Sequence, residues 1–329
     1  MQITLEGHAE PVPVEAGDTI LASLLRAGVP FPFSCQAGNC GTCKCELVSG
    51  DVLELEHSEH ALAPEERAKG IILACRTQVW DDTVVRRIDA EELVLHPSRV
   101  MRCRVLELED LTHDIKGVRL AIEAGGPFVF SAGQYAQLEF AAGLSRHYSM
   151  ASTPQEAELV FHIRHMPGGR TSAHVATQLK PGDKVKVSGP LGVAYLRENH
   201  AGPALLVAGG SGLAPIQAIL RTTLERGHDA AVTLYFGVRS ERDLYHEALL
   251  KDLAARHSNF SYHVVLSEQK GAPGRRYGLV HEAIELPESA QGVMAYLAGP
   301  PVMVEAATSL LASRGLLPRQ IHADAFYNQ

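Results

Sequence analysis

The sequence predicts a multi-domain protein in which an α+β unit, an antiparallel β-barrel and a doubly wound parallel α/β unit follow one another. Five of the six cysteines lie before residue 80, among short strands and one short helix. From Val100 onward, strand-like runs are separated by Gly, Pro and acidic turns, which is typical of a small antiparallel barrel. After Gly202, apolar strands alternate with helix-like stretches, which predicts a parallel sheet covered by helices.

The 329 residues are enough for two or three domains of ordinary size. We expect these domains to span residues 1–92, 98–198 and 202–329, with a linker around residues 88–99. Hydrophobic content of 46% and charged content of 21% are typical of a globular protein. No apolar run approaches the length of a membrane span, and the first residues lack the pattern of a signal peptide. We therefore expect a cytoplasmic location.

The strands and helices are predicted from the period of the apolar residues and from turn and cap signals. In the first domain we expect strands at 2–5, 11–14 and 45–48, and a helix at 19–27 that Asp18 or Thr19 is placed to cap. In the second domain we expect strands at 102–108, 118–122, 135–140, 158–164 and 184–188. In the third domain we expect strands at 204–208, 231–236, 262–266 and 294–297, and a helix at 215–226.

Four cysteines carry the spacing of a plant-type 2Fe–2S cluster, in which three follow the pattern Cys-x4-Cys-x2-Cys and the fourth lies further along the chain. They are Cys35, Cys40, Cys43 and Cys75. Two irons need four thiolates that converge on a compact core, so the loop that supplies three of them must wrap tightly. Gly38 and Gly41 lie inside this loop, where the backbone has to bend close to the cluster.

A zinc site is the alternative interpretation of these cysteines. Zinc usually takes paired Cys-x2-Cys knuckles, and the chain has only one such pair. Cys45 lies on a predicted strand two residues past Cys43, so we interpret it as a small buried residue, and Cys103 as part of the barrel core. Without an export signal, disulfides are not expected.

Two motifs in the second domain indicate a flavin site. Arg146 is suited to neutralise a diphosphate, Tyr148 to stack on an isoalloxazine ring and Ser149 to hydrogen-bond near the flavin N5. This short motif alone would also fit an ordinary edge strand. About 20 residues later, Gly169 and Ser172 open a predicted helix, and glycines followed by a hydroxyl at a helix N-terminus favour an anion such as the FAD diphosphate.

A glycine-rich turn in the third domain suggests a dinucleotide site. Gly210 and Gly212 belong to a turn that follows a buried strand and opens a helix, although Pro215 replaces the third glycine of the usual pattern. The last predicted strand ends at Gly299 and Pro300, where a close approach of the backbone to the nicotinamide is expected.

Arg239, Asp243 and Tyr245 follow the second strand of this domain and are placed to hold the adenosine half. Asp243 favours NADH, because a carboxylate accepts a hydrogen bond from a free 2′-hydroxyl and repels a 2′-phosphate. Arg239 and Arg242 lie close by in the sequence and leave NADPH possible.

The net charge of −8 is concentrated in one part of the chain. Residues 1–95 contain 16 Asp and Glu against 7 Lys and Arg, a balance of −9. This acidic segment argues against nucleic acid and anionic membranes as partners. It suits docking onto a basic protein surface, although acidic residues also serve plain solubility.

Five further segments complete the pattern: residues 96–99 (HPSR), 112–115 (THDI), 188–192 (SGPLG), 235–239 (YFGVR) and 323–327 (ADAFY). With the motifs above, the whole chain resembles the reductases of bacterial aromatic-ring dioxygenases and multicomponent monooxygenases. Among these it is most similar to the naphthalene dioxygenase-type ferredoxin reductases. The resemblance implies a β-grasp plant-type ferredoxin domain, an FAD-binding barrel and an NAD(P)-binding domain.

The resemblance also implies the site residues and the reaction. Cluster ligands would be Cys35, Cys40, Cys43 and Cys75, FAD contacts Arg146, Tyr148, Ser149, Gly169 and Ser172, and a C-terminal aromatic residue, Phe326 or Tyr327, would lie near the flavin. We expect Ser149 and Phe326 to be the residues closest to the reaction, in which NADH reduces FAD and electrons pass through the cluster.

The expected acceptor is a Rieske-type ferredoxin or a terminal oxygenase of aromatic hydrocarbon catabolism. A reductase of a diiron monooxygenase or of a deoxysugar dehydratase is the alternative, and a redox-sensing protein is a third hypothesis. The sequence departs from the family at Ala298, where relatives usually carry a cysteine near the nicotinamide. We expect hydride transfer to survive this change.

Overall fold

The computed structural model describes residues 1–29, 31–33, 36–38, 41–59, 61–88, 94, 96–286 and 292–327. The chain divides into two compact units, Met1–Leu95 and His96–Gln329. Among the described residues, no helix has both the length and the apolar composition needed to cross a bilayer.

The first unit is a mixed five-stranded sheet of order β2-β1-β7-β3-β5 with a short two-stranded ladder, β4-β6, beside it. Thr19 caps the first helix by accepting a 3.2 Å hydrogen bond from the Ala22 N–H, which selects between the two predicted caps. The elements are β1 (Gln2–Leu5), β2 (Val12–Pro13), α1 (Ile20–Arg26), β3 (Lys44–Ser49), β4 (Val52–Glu54), α2 (Pro64–Arg67), β5 (Ile71–Leu73), β6 (Thr77–Val79) and β7 (Thr83–Arg87).

Helix α1 lies on this sheet because its apolar residues share one face. Ile20, Leu21 and Leu24 are at most 2% exposed and join the core that includes Ile3 and Val85. Cys43 and Cys75 belong to the same core, so the packing of the first unit fixes both side chains.

The first part of the second unit is an antiparallel barrel of strand order β11-β10-β13-β8-β9-β12. A bridge between Met150 and Phe161 joins the two outer strands, which closes the sheet. Its elements are β8 (Arg99–Asp110), β9 (Ile115–Ala124), β10 (Tyr135–Ala141), β11 (Leu144–Ser149), β12 (Glu158–Arg164), α3 (Arg170–Thr177) and β13 (Lys184–Leu191).

The second part is a parallel six-stranded sheet of order β17-β16-β15-β14-β18-β19, with apolar cores on both faces. The strand order reverses beside β14, and ligands of such folds bind at this point, outside the carboxyl ends of the strands. The elements are β14 (Ala204–Gly209), α4 (Leu213–Glu225), β15 (Val232–Val238), α5 (Glu247–Arg256), β16 (Phe260–Leu266), β17 (Arg276–Tyr277), β18 (Met294–Gly299), α6 (Pro301–Ser313) and β19 (Ile321–Ala325).

The predicted fold class is confirmed. The differences lie at element boundaries and in strands that were not predicted, which are β4, β5, β6, β7, β11, β17 and β19. Strand β8 begins at Arg99, inside the predicted linker, most of which lies outside the described residues. Helix α4 begins two residues before the predicted start because a 3₁₀ turn, Gly210–Gly212, leads directly into it. Strand β11 was not among the predicted strands and pairs with β10 at one end of the sheet order.

Candidate functional site

Two of the four predicted cluster ligands are described, and the fold brings them together. Cys43 and Cys75 are 2% and 5% exposed, and the backbone N–H of Cys75 points at the Cys43 sulfur with a donor–acceptor distance of 3.5 Å. Cys35 and Cys40 lie outside the described residues. An N–H directed at a buried sulfur favours the thiolate form, which is the form that binds iron.

The loop around Cys43 has the close packing that a wrapped cluster loop requires. Gly38 and Gly41 have φ values of +75° and +71°, which only glycine adopts without strain. A Cβ added to Gly41 would lie 2.8 Å from the carbonyl oxygen of Ala61, and one added to Gly38 would lie 2.7 Å from Cγ of Arg76. Both backbone conformation and space therefore require glycine at these positions.

The two remaining described cysteines are core residues, as their positions on strands predict. Cys45 and Cys103 are 0% exposed, and burial raises the pKa of each thiol to about 12. Such thiols stay protonated at neutral pH. Cys45 packs in the core of the first unit and Cys103 in the core of the barrel, which fits their interpretation as small buried residues.

The predicted flavin motif lies on strand β11, whose alternation separates its side chains. Arg146 and Tyr148 point to one face, where Arg146 is exposed and Tyr148 is half-buried against the edge of Phe140 at 6.4 Å. Burial raises the pKa of Tyr148 to about 12, so the ring carries no charge at neutral pH. The pair thus offers a cation and a neutral aromatic face side by side.

The second flavin motif forms the N-terminus of α3, which packs against β11 and β12. Gly169 is the N-cap residue of this helix. The Ser172 hydroxyl turns back to the loop: it donates to the Gly169 carbonyl at 3.2 Å and accepts from the Met166 N–H at 3.1 Å. Ser172 therefore fixes the shape of the turn at the N-terminus of α3, and the diphosphate contact expected there stays a prediction.

Ser149, on the other face of β11, has a partner that the sequence did not single out. Ser149 is 7% exposed, and its hydroxyl donates a 3.0 Å hydrogen bond to the Asp324 carboxylate at the end of β19. Burial raises the pKa of Asp324 to about 6, although the Ser149 bond opposes this rise. Asp324 lies in the C-terminal segment whose pattern was noted, two residues before Phe326, but nothing local indicated its contact.

The predicted dinucleotide residues converge at the carboxyl edge of the parallel sheet. Gly209 and Gly299 lie against each other, since a Cβ on Gly299 would stand 2.9 Å from the Gly209 carbonyl oxygen. A Cβ on Gly212 would overlap the carbonyl of Ala298, and one on Gly209 would lie 2.5 Å from the Met303 sulfur. A cavity opens here, and its lining includes Gly209, Gly210, Arg164, Arg239, Asp243 and Pro300.

Arg239 and Asp243 form an ion pair with each other inside this cavity. Asp243 also accepts hydrogen bonds from the N–H and the hydroxyl of Ser240 at 3.1 and 2.7 Å. Burial would raise the pKa of Asp243, but the bonds from Ser240 and Arg239 hold it below its usual value. Each carboxylate oxygen of Asp243 thus already has a partner, and its bond to a ribose hydroxyl stays a prediction.

Tyr245 and Phe326 occupy supporting positions. Tyr245 is 5% exposed, and its hydroxyl lies 3.0 Å from His162 Nδ1 and donates to the Gly210 carbonyl at 3.3 Å. Tyr245 therefore hydrogen-bonds the glycine turn. The sequence analysis expected this residue to hold the adenosine half of the dinucleotide. The Phe326 N–H donates to the Gly299 carbonyl at 2.9 Å, which ties the C-terminal segment to the edge of the cavity.

Comparisons with known proteins match all three parts of the chain. Residues 3–79 match the 2Fe-2S iron-sulfur cluster binding domain, residues 102–195 the oxidoreductase FAD-binding domain and residues 206–309 the oxidoreductase NAD-binding domain. The chain is 42% identical over 329 residues to the reductase component, ferredoxin–NAD(P)+, of the naphthalene 1,2-dioxygenase/salicylate 5-hydroxylase systems of a Ralstonia species, with 99% of each chain covered. The chain belongs to the naphthalene dioxygenase-type ferredoxin reductase family.

Two further comparisons agree with this membership of the ferredoxin reductase family. The naphthalene 1,2-dioxygenase system ferredoxin–NAD(P)+ reductase component of Pseudomonas putida is 40% identical over 330 residues, with 99% of each chain covered. The crystal structure of the Amycolatopsis cytochrome P450 reductase GcoB superimposes with a TM-score of 0.80 at 38% identity, over 99% of this chain and 98% of that one.

As a ferredoxin reductase the protein is an NAD(P)H-dependent oxidoreductase with a 2Fe–2S cluster, FAD and NAD(P)H as its cofactors. The described residues fit these groups. Cys43 and Cys75 are buried side by side, as cluster ligands must be, and Gly209 and Gly299 pack backbone against backbone at the edge of the cavity. The cation, aromatic ring and helix N-terminus beside β11 match the diphosphate and ring of FAD.

Proposed function

We propose that this ferredoxin reductase takes hydride from NADH and delivers electrons singly to a Rieske-type ferredoxin or a terminal oxygenase of an aromatic-ring-hydroxylating system. Two observations support this proposal. One chain combines a cluster domain, an FAD domain and an NAD domain, and its relatives include reductase components of naphthalene 1,2-dioxygenase systems. Bound FAD accepts two electrons together and gives them up one at a time, which connects NADH to the one-electron cluster.

The residues of this chain bind and orient these groups. We assign Cys35, Cys40, Cys43 and Cys75 as the thiolate ligands of the cluster, and the buried Sγ of Cys43 beside the Cys75 N–H supports this assignment. The protein sets the cluster potential through such N–H groups and through exclusion of water. No general acid or base is assigned, because hydride and electron transfer require none.

In the second unit, we assign Arg146 and the N-terminus of α3 to the FAD diphosphate and Tyr148 to the ring. Ser149 is assigned to the reacting edge of the flavin, and its hydrogen bond to Asp324 holds the hydroxyl in one orientation. Gly210, Gly212, Gly299 and Pro300 are assigned to the dinucleotide, since the absence of side chains lets its diphosphate and nicotinamide approach the backbone.

The partner is expected to be a protein with a basic docking surface. Residues 1–95 carry a charge balance of −9, which attracts such a surface and repels nucleic acid and anionic lipid. A cytoplasmic location is part of the proposal, because iron–sulfur assembly and reduced cysteines belong to a reducing compartment.

Reconstitution tests the proposed function. The purified holoprotein is combined with NADH and with the ferredoxin and oxygenase components of naphthalene dioxygenase or salicylate hydroxylase systems, and the hydroxylated product is measured. We expect product with at least one Rieske system, and none when Cys43→Ser replaces the wild-type protein. Product only with a diiron hydroxylase would replace the Rieske partner in this proposal, and failure to oxidise NADH with ferricyanide would contradict the reductase function itself.

A further inference from the structure

Four charged side chains from two domains form one cluster at the adenosine end of the dinucleotide cavity. Asp114 lies in the turn between β8 and β9. Its Oδ2 accepts two hydrogen bonds, from Arg164 Nε at 2.9 Å and from Arg239 Nη2 at 3.2 Å. Arg239 pairs in turn with Asp243. The cluster thus joins the barrel to the parallel sheet and contains two cations and two anions.

The position of Asp114 is fixed before any ligand arrives. Its Oδ1 accepts from the Thr112 hydroxyl at 3.0 Å, and the same hydroxyl accepts from the N–H groups of Asp114 and Ile115. The Asp114 carbonyl accepts a 2.7 Å bond from the His165 N–H. Asp114 therefore presents a rigid carboxylate to the two arginines.

The location of Arg239 shows which part of the nucleotide meets the cluster. Arg239 directly follows β15, the second strand of the parallel sheet, and in dinucleotide folds the residues at this position meet the adenosine ribose. Arg164 lies at the other end of the cluster, with Nη1 3.5 Å from where a Cβ of Gly210 would stand. The four charges thus extend from the diphosphate turn to the ribose position.

A 2′-phosphate would meet Arg239 with its charge already neutralised. To bind the phosphate, the guanidinium would have to leave two carboxylates, and these would then face the phosphate at close range. A 2′-hydroxyl carries no charge and requires no such rearrangement. Like charges brought together in a partly buried site lower affinity strongly, so the arrangement favours NADH.

We propose that Asp114 and Asp243 together set the preference for NADH over NADPH by holding Arg239 between them, with Asp114 contributed by the flavin barrel. This inference rests on the proposed function only in taking a nicotinamide dinucleotide as the donor. Asp243 then acts through Arg239, which differs from the direct bond to the ribose that its position in the sequence predicts. Both aspartates are positioning residues that control specificity.

Nucleotide binding tests this inference without the electron acceptor. Binding of adenosine 2′,5′-bisphosphate and of AMP to the FAD-loaded holoprotein is measured by calorimetry for wild type, Asp114→Asn, Asp243→Asn and the double variant. Each substitution should raise the affinity ratio of bisphosphate to AMP about tenfold, because one close, partly screened repulsion is removed. The ratio of kcat/KM for NADPH to that for NADH, with ferricyanide as acceptor, should rise in parallel.

Asp110→Asn is the matched control. Asp110 lies at the end of β8 beside the same turn and pairs with Lys116, so this substitution removes one negative charge without changing a contact of Arg239. Its affinity ratio should stay at the wild-type value. Adding Arg239→Gln to the double variant should abolish the increase in the affinity ratio of bisphosphate to AMP. An unchanged ratio in all three aspartate variants, with normal FAD content and melting temperature, would overturn the inference, as would a wild-type preference for NADPH. Both outcomes are independent of which oxygenase accepts the electrons.

Discussion

The Ser149 hydroxyl and the Asp324 carboxylate share a 3.0 Å hydrogen bond, although they are 175 residues apart and belong to the barrel and to the last strand of the parallel sheet. Ser149 is the residue assigned to the reacting edge of the flavin. Both side chains are buried, at 7% and 8% exposure. This contact fixes the hydroxyl from the opposite domain and leads to two measurable consequences.

The first prediction concerns the rate of flavin reduction. Ser149→Ala should slow the bleaching of bound FAD by NADH about tenfold, the effect of one lost hydrogen bond of about 1–2 kcal/mol at the reacting position. Stopped-flow absorbance measures this rate. Ser145→Ala, on the same strand four residues earlier, is the control and should react at the wild-type rate. Equal rates for both variants at equal FAD content would contradict the assignment of Ser149.

The second prediction concerns pH. Burial raises the pKa of Asp324 to about 6, above its value in the unfolded chain, so the folded protein binds this proton more tightly. The stabilisation by the proton is complete below about pH 4 and is lost as pH rises through about 6, with a change of about 1 kcal/mol between pH 5 and pH 7. Asp324→Asn should remove this dependence.

The release of FAD fluorescence in urea reports the unfolding of the unit that binds FAD, so the free energy can be compared between wild type and Asp324→Asn at pH 5, 6 and 7. The advantage of wild type over the variant should shrink as pH rises. In Ser149→Ala the loss of stability with rising pH should occur at higher pH, because the hydrogen bond that lowers the Asp324 pKa is gone. A constant difference at all three pH values would show that Asp324 does not titrate in this range.

The sequence indicated the parts of the site that are local in the chain. The cysteine spacing, the glycine turn before α4 and the motif on β11 each combine residue types within a few positions, and their chemistry follows from that short pattern. The Ser149–Asp324 and Asp114–Arg239 contacts join residues 175 and 125 positions apart. No local period encodes such contacts, since they exist only after the barrel and the parallel sheet pack together.

Asp243 shows a second limit of prediction from sequence. Its position after β15 places it on the wall of the cavity, but the sequence did not reveal that Ser240 and Arg239 already occupy its oxygens. A residue type and its place on a strand indicate which ligand is near. The hydrogen bonds a side chain makes within the protein decide whether it touches that ligand directly.

The third prediction separates the cluster from the flavin. Cys43→Ser should lose the iron of the purified protein and its reduction of cytochrome c, and should retain reduction of ferricyanide by NADH, which needs only FAD. Cys45→Ala is the control, because Cys45 lies two residues further along the chain and is equally buried. It should keep iron and both activities. Loss of ferricyanide reduction in a folded, FAD-loaded Cys43→Ser protein would contradict this division.

The fourth prediction concerns Ala298, the position at which the family resemblance implies a cysteine. Ala298 is 1% exposed on β18 and is paired in register with Asp324 on β19, so the two side chains point to the same face beside Ser149. The family resemblance places the nicotinamide near position 298, and a thiol there is expected to restrict its orientation. Ala298→Cys should therefore raise the rate of flavin reduction by NADH, by about two- to fivefold for a modest gain in positioning.

Ala295→Cys is the matched control for this change. Ala295 is also fully buried on β18, but it belongs to the core on the opposite face of the sheet and does not reach the dinucleotide cavity. Its added sulfur should cost about 1 kcal/mol or more of stability through overpacking and leave the rate of flavin reduction unchanged. If both variants change the rate equally, the effect comes from packing of the strand, and position 298 has no special relation to hydride transfer.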